Sequence, residues 1–182
     1  MQIVVVGASH KTMPIRLREK LAIPKTKLIE ALKELNVHIK ESVILSTCNR
    51  VEVYSATHDL KDTIAKITNF LDKYYQLDEV KFENYLYIYQ DKEAVKHLFE
   101  VAASLDSMVV GEPQILGQVK KAYEQAVSAN VTGTYLDNLF QKAILVGKRV
   151  RSQTEIGKGA VSVSFAAIEL VKKIFNWKQK RH

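Results

Sequence analysis

The stretch Ser42-Val43-Ile44-Leu45-Ser46-Thr47-Cys48-Asn49-Arg50-Val51-Glu52-Val53-Tyr54-Ser55-Ala56 decides the fold. Ser42 to Leu45 is a short apolar run, and Val51 to Ala56 alternates apolar with polar residues, so both read as strands. The residues between them leave room only for a turn, and the two strands form a hairpin with Cys48 at its tip.

Working outward, the Val-rich run Gln2 to Gly7 reads as a buried strand, and Tyr85 to Tyr89 as a fourth, aromatic one. Pro14 opens a short helix through Leu21. Pro24 opens another, whose apolar positions Leu28, Ile29, Leu32 and Leu35 recur at helical spacing. Asp62 to Tyr75 repeats that period through Ile64, Ile67, Phe70 and Leu71. The order strand, helix, strand, strand, helix, strand predicts an α+β fold, a ferredoxin-like β-α-β-β-α-β sandwich followed by a helical segment. Four more helices are expected over Asp91 to Leu105, Pro113 to Ala129, Thr134 to about Thr154, and Val161 to Phe175. Asp91 supplies a cap to the first of these, and Pro113 takes the first position of the second. The chain thus divides into 1–90, 91–156 and 157–182.

Composition narrows the class. The chain has 182 residues, enough for one domain or two small ones, and its 47% hydrophobic content is that of a soluble globular protein. No apolar run approaches the ~18 residues of a membrane span, and Met1 to Gly7 lacks the basic start of a signal peptide. A single cysteine permits no internal disulfide and agrees with a reducing compartment, so a cytoplasmic protein is expected. The net charge of +7 favours a polyanionic partner, although the basic residues are spread over several helices. Lys178 to His182 reads as a solvated basic end.

A free cysteine is most often a small buried hydrophobe. At Cys48 the neighbours Thr47, Asn49 and Arg50 are polar, which does not suit packed core. A free thiol has a pKa of about 8.5, and a fixed cation favours the nucleophilic thiolate. The Arg50 guanidinium supplies such a cation, and its fork also suits a substrate carboxylate. The residues leave both roles open.

The second informative stretch runs from Asp106-Ser107-Met108 through Gly111-Glu112-Pro113-Gln114 to Gln118. A loop feeding a helix N-terminus offers unsatisfied N–H groups to an anion. Ser107, Gln114 and Gln118 add neutral donors, and the two glutamines share a helix face. Glu112 and Pro113 equally suit a helix that starts for structural reasons alone. His97 lies at the edge of the stripe formed by Ala94, Val95, Leu98 and Ala102, as a boundary residue or an acid–base group. Gly157-Lys158-Gly159 is not a dinucleotide loop, because it follows a helix and lacks the third glycine. The five histidines show no metal-ligand spacing, so no metal is expected.

Together, Ser9-His10-Lys11-Thr12 with Leu17-Arg18-Glu19-Lys20-Leu21, Ser46-Thr47-Cys48-Asn49-Arg50-Val51-Glu52, Leu105-Asp106-Ser107-Met108 with Gly111 through Lys120, and Gly159-Ala160-Val161-Ser162-Val163-Ser164 carry a resemblance. The chain resembles glutamyl-tRNA reductase, the NADPH-dependent enzyme that starts five-carbon tetrapyrrole synthesis. The resemblance implies that Cys48 attacks the ester carbonyl of glutamyl-tRNA(Glu) to form a thioester, which NADPH reduces to glutamate 1-semialdehyde. It implies His97 as the activity-linked histidine. Substrate contacts fall on Thr47, Asn49, Arg50, Ser107, Glu112, Pro113, Gln114 and Gln118. It also implies a homodimer in the full-length family, with this chain a possible monomer, and hand-over of the semialdehyde to a downstream aminomutase.

Family members continue into a Rossmann-type NADPH domain and a helical dimerisation domain, and this chain stops before either. On that reading 1–90 is the catalytic subdomain, 91–156 completes the substrate site, and 157–182 leads towards the NADPH domain. No cofactor-binding residue is expected here, and the fragment is limited to forming and hydrolysing the thioester. A non-catalytic tRNA-binding module and an unrelated cysteine hydrolase are the alternatives.

Overall fold

Val4, Val5, Val6 and Ala8 have no exposed surface, so the first strand is covered on both faces. This explains why it reads as a continuous apolar run rather than an alternating one. The computed structural model describes residues 1–18, 20, 22–75 and 81–157. Its elements, in chain order, are β1 (Gln2–Ser9), α1 (Ile15–Arg18), α2 (Lys25–Asn36), β2 (Glu41–Ser46), β3 (Arg50–Thr57), α3 (Leu60–Tyr75), β4 (Tyr87–Gln90), α4 (Asp91–Ala102), α5 (Gln114–Ser128) and α6 (Thr134–Gln153). The expected helix Val161 to Phe175, the run Gly159 to Ser164, and the expected end of the first helix at Leu21 lie outside the described residues.

The four strands form one antiparallel sheet in the order β2-β3-β1-β4. The expected hairpin is β2 with β3, Ser46 pairing with Val51 at its closed end. α2 and α5 pack on β2, α3 on β1 and β3, and α4 on β1 and β4, while α6 crosses β3 and leans on α4 and α5. Residues from β1 to β3 and from α2 to α6 join one hydrophobic core. Phe140 of α6 marks its centre: it is fully buried, meets Tyr54 of β3 edge-on with centroids 5.3 Å apart, and stacks on Tyr123 of α5 at 5.8 Å.

Most element ends lie within a residue or two of the sequence expectation, and two ends and one cap differ for identifiable reasons. Tyr85 ends a short 3-10 turn, Phe82–Tyr85, and the fourth strand begins only at Tyr87, where pairing with Gly7 starts. The first helix of the second half stops at Ala102, because Ser104 has φ 63° and breaks the helical path. Asp91 does not cap that helix. Its carboxylate instead accepts the Ile3 N–H at 3.0 Å and the Gln2 side-chain amide at 3.1 Å, tying the helix start to β1.

Gly7 has a more particular role. It pairs with Glu52 across β1 and β3, and a Cβ at Gly7 would lie 2.5 Å from the Val51 carbonyl oxygen and 2.8 Å from Glu52 Cγ. The missing side chain makes room for a carboxylate inside the sheet.

Candidate functional site

The turn that carries Cys48 is built by its own sequence. The Thr47 N–H donates to the Arg50 carbonyl at 2.8 Å, closing the hairpin. The Thr47 hydroxyl accepts the N–H groups of Asn49 and Arg50, each at 3.1 Å. Threonine therefore satisfies the donors that a tight turn leaves over. Thr47 and Arg50 are buried while Cys48 is exposed, so the thiol stands out from a braced turn.

A cleft forms around it. Thr47, Cys48, Asn49 and Arg50 line one side, and Ser107, Met108, Glu112, Ile115 and Gln118 line the other. The second side comes from the loop between α4 and α5 and from the first turns of α5. That loop holds its shape through Ser104, whose hydroxyl donates to the Glu112 carbonyl at 2.9 Å, and through Gly111 at φ 84°. Arg151 of α6 donates to the carbonyls of Gly111 and Glu112, both at 3.2 Å. The loop is thus pinned from the core before any ligand arrives.

Beneath the cleft lies a buried ionic cluster. Glu52 is fully buried and accepts from Arg50 Nη1 at 2.7 Å, the Tyr54 hydroxyl at 2.6 Å and the Tyr87 hydroxyl; His97 Nε2 lies 2.8 Å from it. Burial alone would push the Glu52 carboxyl up. The Arg50 guanidinium and the His97 hydrogen bond overcome this and hold it far below the usual carboxylate range. An ionised carboxylate only accepts, so His97 carries its proton on Nε2, leaving Nδ1 3.7 Å from Asp106 Oδ2. Arg50 Nη2 donates to the Asp106 carbonyl, and Lys11 pairs with the Asp106 carboxylate. Both terminal nitrogens of Arg50 are therefore engaged within the protein.

Not every residue singled out in the sequence meets Cys48. His97 sits on the buried face of α4 and lines a neighbouring cleft with Tyr87, Tyr89 and Lys96; it reaches Arg50 through Glu52. Gln114 lines a separate groove with Ile23 and Ser46, which Gln118 also borders. Pro113 is exposed at the start of α5 and lines none of these clefts.

Three residues of the site, all within the runs that carry the resemblance, are not singled out by the sequence reading as site residues. Glu52 had a signal, because an acid inside a strand buried on both faces demands a buried partner. Asp106 and His10 had no signal of a role beyond their place in those runs, since only folding brings them to β3. Among the described residues no group of three or more His, Cys, Asp or Glu side chains is placed to hold a metal ion, and no helix is long and apolar enough to cross a membrane.

Comparison with known proteins agrees over nearly the whole chain. The glutamyl-tRNA reductase of Thermodesulfovibrio yellowstonii is 48% identical over 190 residues, covering 100% of this chain and 44% of that protein. The glutamyl-tRNA reductase of Trichlorobacter lovleyi is 50% identical over 177 residues, covering 96% of this chain and 41% of that protein. The solved glutamyl-tRNA reductase from Methanopyrus kandleri superposes with a TM-score of 0.70 at 36% identity, covering 94% of this chain and 39% of that one. The chain spans about two fifths of the length of these relatives. Residues 6–154 match the family model of the glutamyl-tRNAGlu reductase N-terminal domain, and the chain belongs to that family.

Proposed function

We propose that this chain is the acyl-accepting part of a glutamyl-tRNA reductase, with Cys48 as nucleophile. The observation that carries the reading is the exposed thiol on a turn braced by Thr47, facing the pinned loop before α5 and the start of that helix across one cleft. The Cys48 thiolate attacks the ester carbonyl of glutamyl-tRNA(Glu). A C–S bond forms, the bond to the ribose oxygen breaks, and free tRNA leaves. Asn49, Ser107 and Gln118 offer neutral hydrogen-bonding groups to the glutamyl moiety, and Glu112 offers an acceptor for its ammonium. Arg50 provides a fixed positive wall for the side-chain carboxylate.

His97 acts in this reading as the acid–base group of the neighbouring cleft, and Pro113 and Gln114 belong to the surface that receives the acceptor end of the tRNA. Reduction of the thioester by NADPH to glutamate 1-semialdehyde, in tetrapyrrole synthesis in the cytoplasm, completes the reading, with dimer assembly and aldehyde hand-over as properties of the whole enzyme. The described residues do not fit a dinucleotide. The glycine within β1, Gly7, is filled against Val51 and Glu52, and no glycine-rich turn joins a strand to a helix. No step is therefore assigned to the nicotinamide among the described residues, and a thioester formed on them is open to attack by water.

The order β2-β3-β1-β4, with helices between β1 and β2 and between β3 and β4, supports a ferredoxin-like sandwich over 1–90, with 91–156 supplying the far wall of the cleft.

The test is to incubate the protein with tRNA(Glu) charged with labelled glutamate, quench in acid and map the label. Glutamate bound at Cys48, and none bound to Cys48→Ser, is expected. Label elsewhere, or ester loss equal in the two proteins, refutes the reading.

A further inference from the structure

His10 follows β1 and stands beside the nucleophile. Ser9 pairs with Arg50, and the His10 N–H donates to the Asn49 carbonyl at 2.9 Å, so His10 extends the β1–β3 ladder to the residue next to Cys48. Its side chain lines the same cleft as Thr47, Cys48 and Asn49. Ring atom Nδ1 is buried and finds no hydrogen-bond partner among the described residues. A buried polar atom without a partner is costly and calls for an explanation, which an incoming proton supplies. His97 is hydrogen-bonded to Glu52 and does not line this cleft.

We propose that the His10 imidazole is the proton relay of the Cys48 site. As sulfur attacks the acyl ester, the thiol proton passes to the ring. The tetrahedral oxyanion then collapses, the ester C–O bond breaks, and the departing ribose alkoxide takes that proton back. The histidine ends neutral and no other reactant is consumed. The inference rests on the acyl-accepting reading above.

The surroundings suit the role. Burial disfavours the imidazolium, and so do Arg50 of β3, Lys11 of the same loop and Arg18 of α1, whereas Asp106 opposes them; the net effect holds the ring below its ordinary value. Glu112 and Cys48 are the remaining titratable groups on the cleft. The neutral ring is therefore present at neutral pH, in the form that accepts a proton.

Single-turnover thioester formation with glutamyl-tRNA(Glu), measured from pH 5 to pH 9.5, tests this on wild type, His10→Gln and His10→Ala. The wild-type rate should rise through a group titrating below about 6.5, the ordinary histidine value. His10→Gln should be slower by about 100- to 10,000-fold at pH 7, with its rate following thiol ionisation near pH 8.5 instead. Added imidazole should partly restore His10→Ala. Iodoacetamide at pH 9 should label Cys48 equally in all three, which shows that the site is intact.

The relay is overturned if His10→Gln keeps the wild-type rate within about threefold, or if it slows without a change in pH profile and imidazole rescues nothing. Should the variants not fold, a wild-type profile that follows only a group near pH 8.5 overturns it too. No thioester in the wild type overturns the acyl-accepting reading instead.

Discussion

Replacing Glu52 by Gln tests whether the buried cluster is organised by charge. Glu52 is fully buried, and the Arg50 side chain is only 2% exposed. The amide keeps the shape but removes the charge that pairs with Arg50 Nη1 at 2.7 Å. Breaking one partner of such a pair costs about 3–5 kcal/mol, because the other charge stays buried. Asp106 remains 3.5 Å from Arg50 and its carbonyl still accepts from Nη2, so the low end, about 3 kcal/mol, is expected here. For a chain of this size that lowers Tm by about 6–12 °C. Urea titration at pH 7 and at pH 3 measures it.

The pH arm has a definite sign. The folded carboxyl lies below its unfolded value, so its contribution is fully present above about pH 4.5 and fades as pH falls through and below that point. The gap between wild type and Glu52→Gln should therefore narrow at pH 3. A loss below about 1 kcal/mol at pH 7, the size of a solvent-screened surface pair, refutes the reasoning.

Thr47→Val should destabilise by about 1–3 kcal/mol, since two turn N–H groups lose their acceptor, and should slow acylation of Cys48 in the same preparation. Glu41→Ala should cost about 1 kcal/mol by thermal melting, because the Glu41 carboxylate accepts the Leu136 N–H at 3.1 Å and so caps α6 from a distant strand. Gly7→Ala should cost about 1–3 kcal/mol, because the new methyl would meet the Val51 carbonyl at 2.5 Å and push Glu52 out of place. An unchanged melting curve for that variant would mean that the β1–β3 spacing is softer than the register implies.

Much of the fold is legible along the chain because its signals are local. The run Val43 to Leu45, the alternation from Val51, and the turn between them specify the hairpin through a period of two and a short loop. The spacing of Leu28, Leu32 and Leu35 specifies α2, and all three are buried on one face. Helix ends were less legible. Asp91 has the chemistry of a cap, but the edge of β1 offers it better-placed donors. The helix after it ends at a strained Ser104 that no residue type announces.

The sequence by itself determined that a turn stands here, with Cys48 at its tip and Arg50 placing a charge beside it; the structure added that Thr47 holds the turn and that the thiol is exposed. Those roles follow from residues within hydrogen-bonding reach of one another along the backbone. Tertiary structure decided which charges meet. It joined Arg50 to Glu52 and Asp106, turned His97 into a partner of Glu52 rather than a neighbour of the thiol, and set His10 across from Asn49 in the cleft. The physical reason is that a buried charge requires a partner whatever its distance in sequence, and only the strand order β2-β3-β1-β4, with α4 laid over β1 and β4, brings those partners to one place.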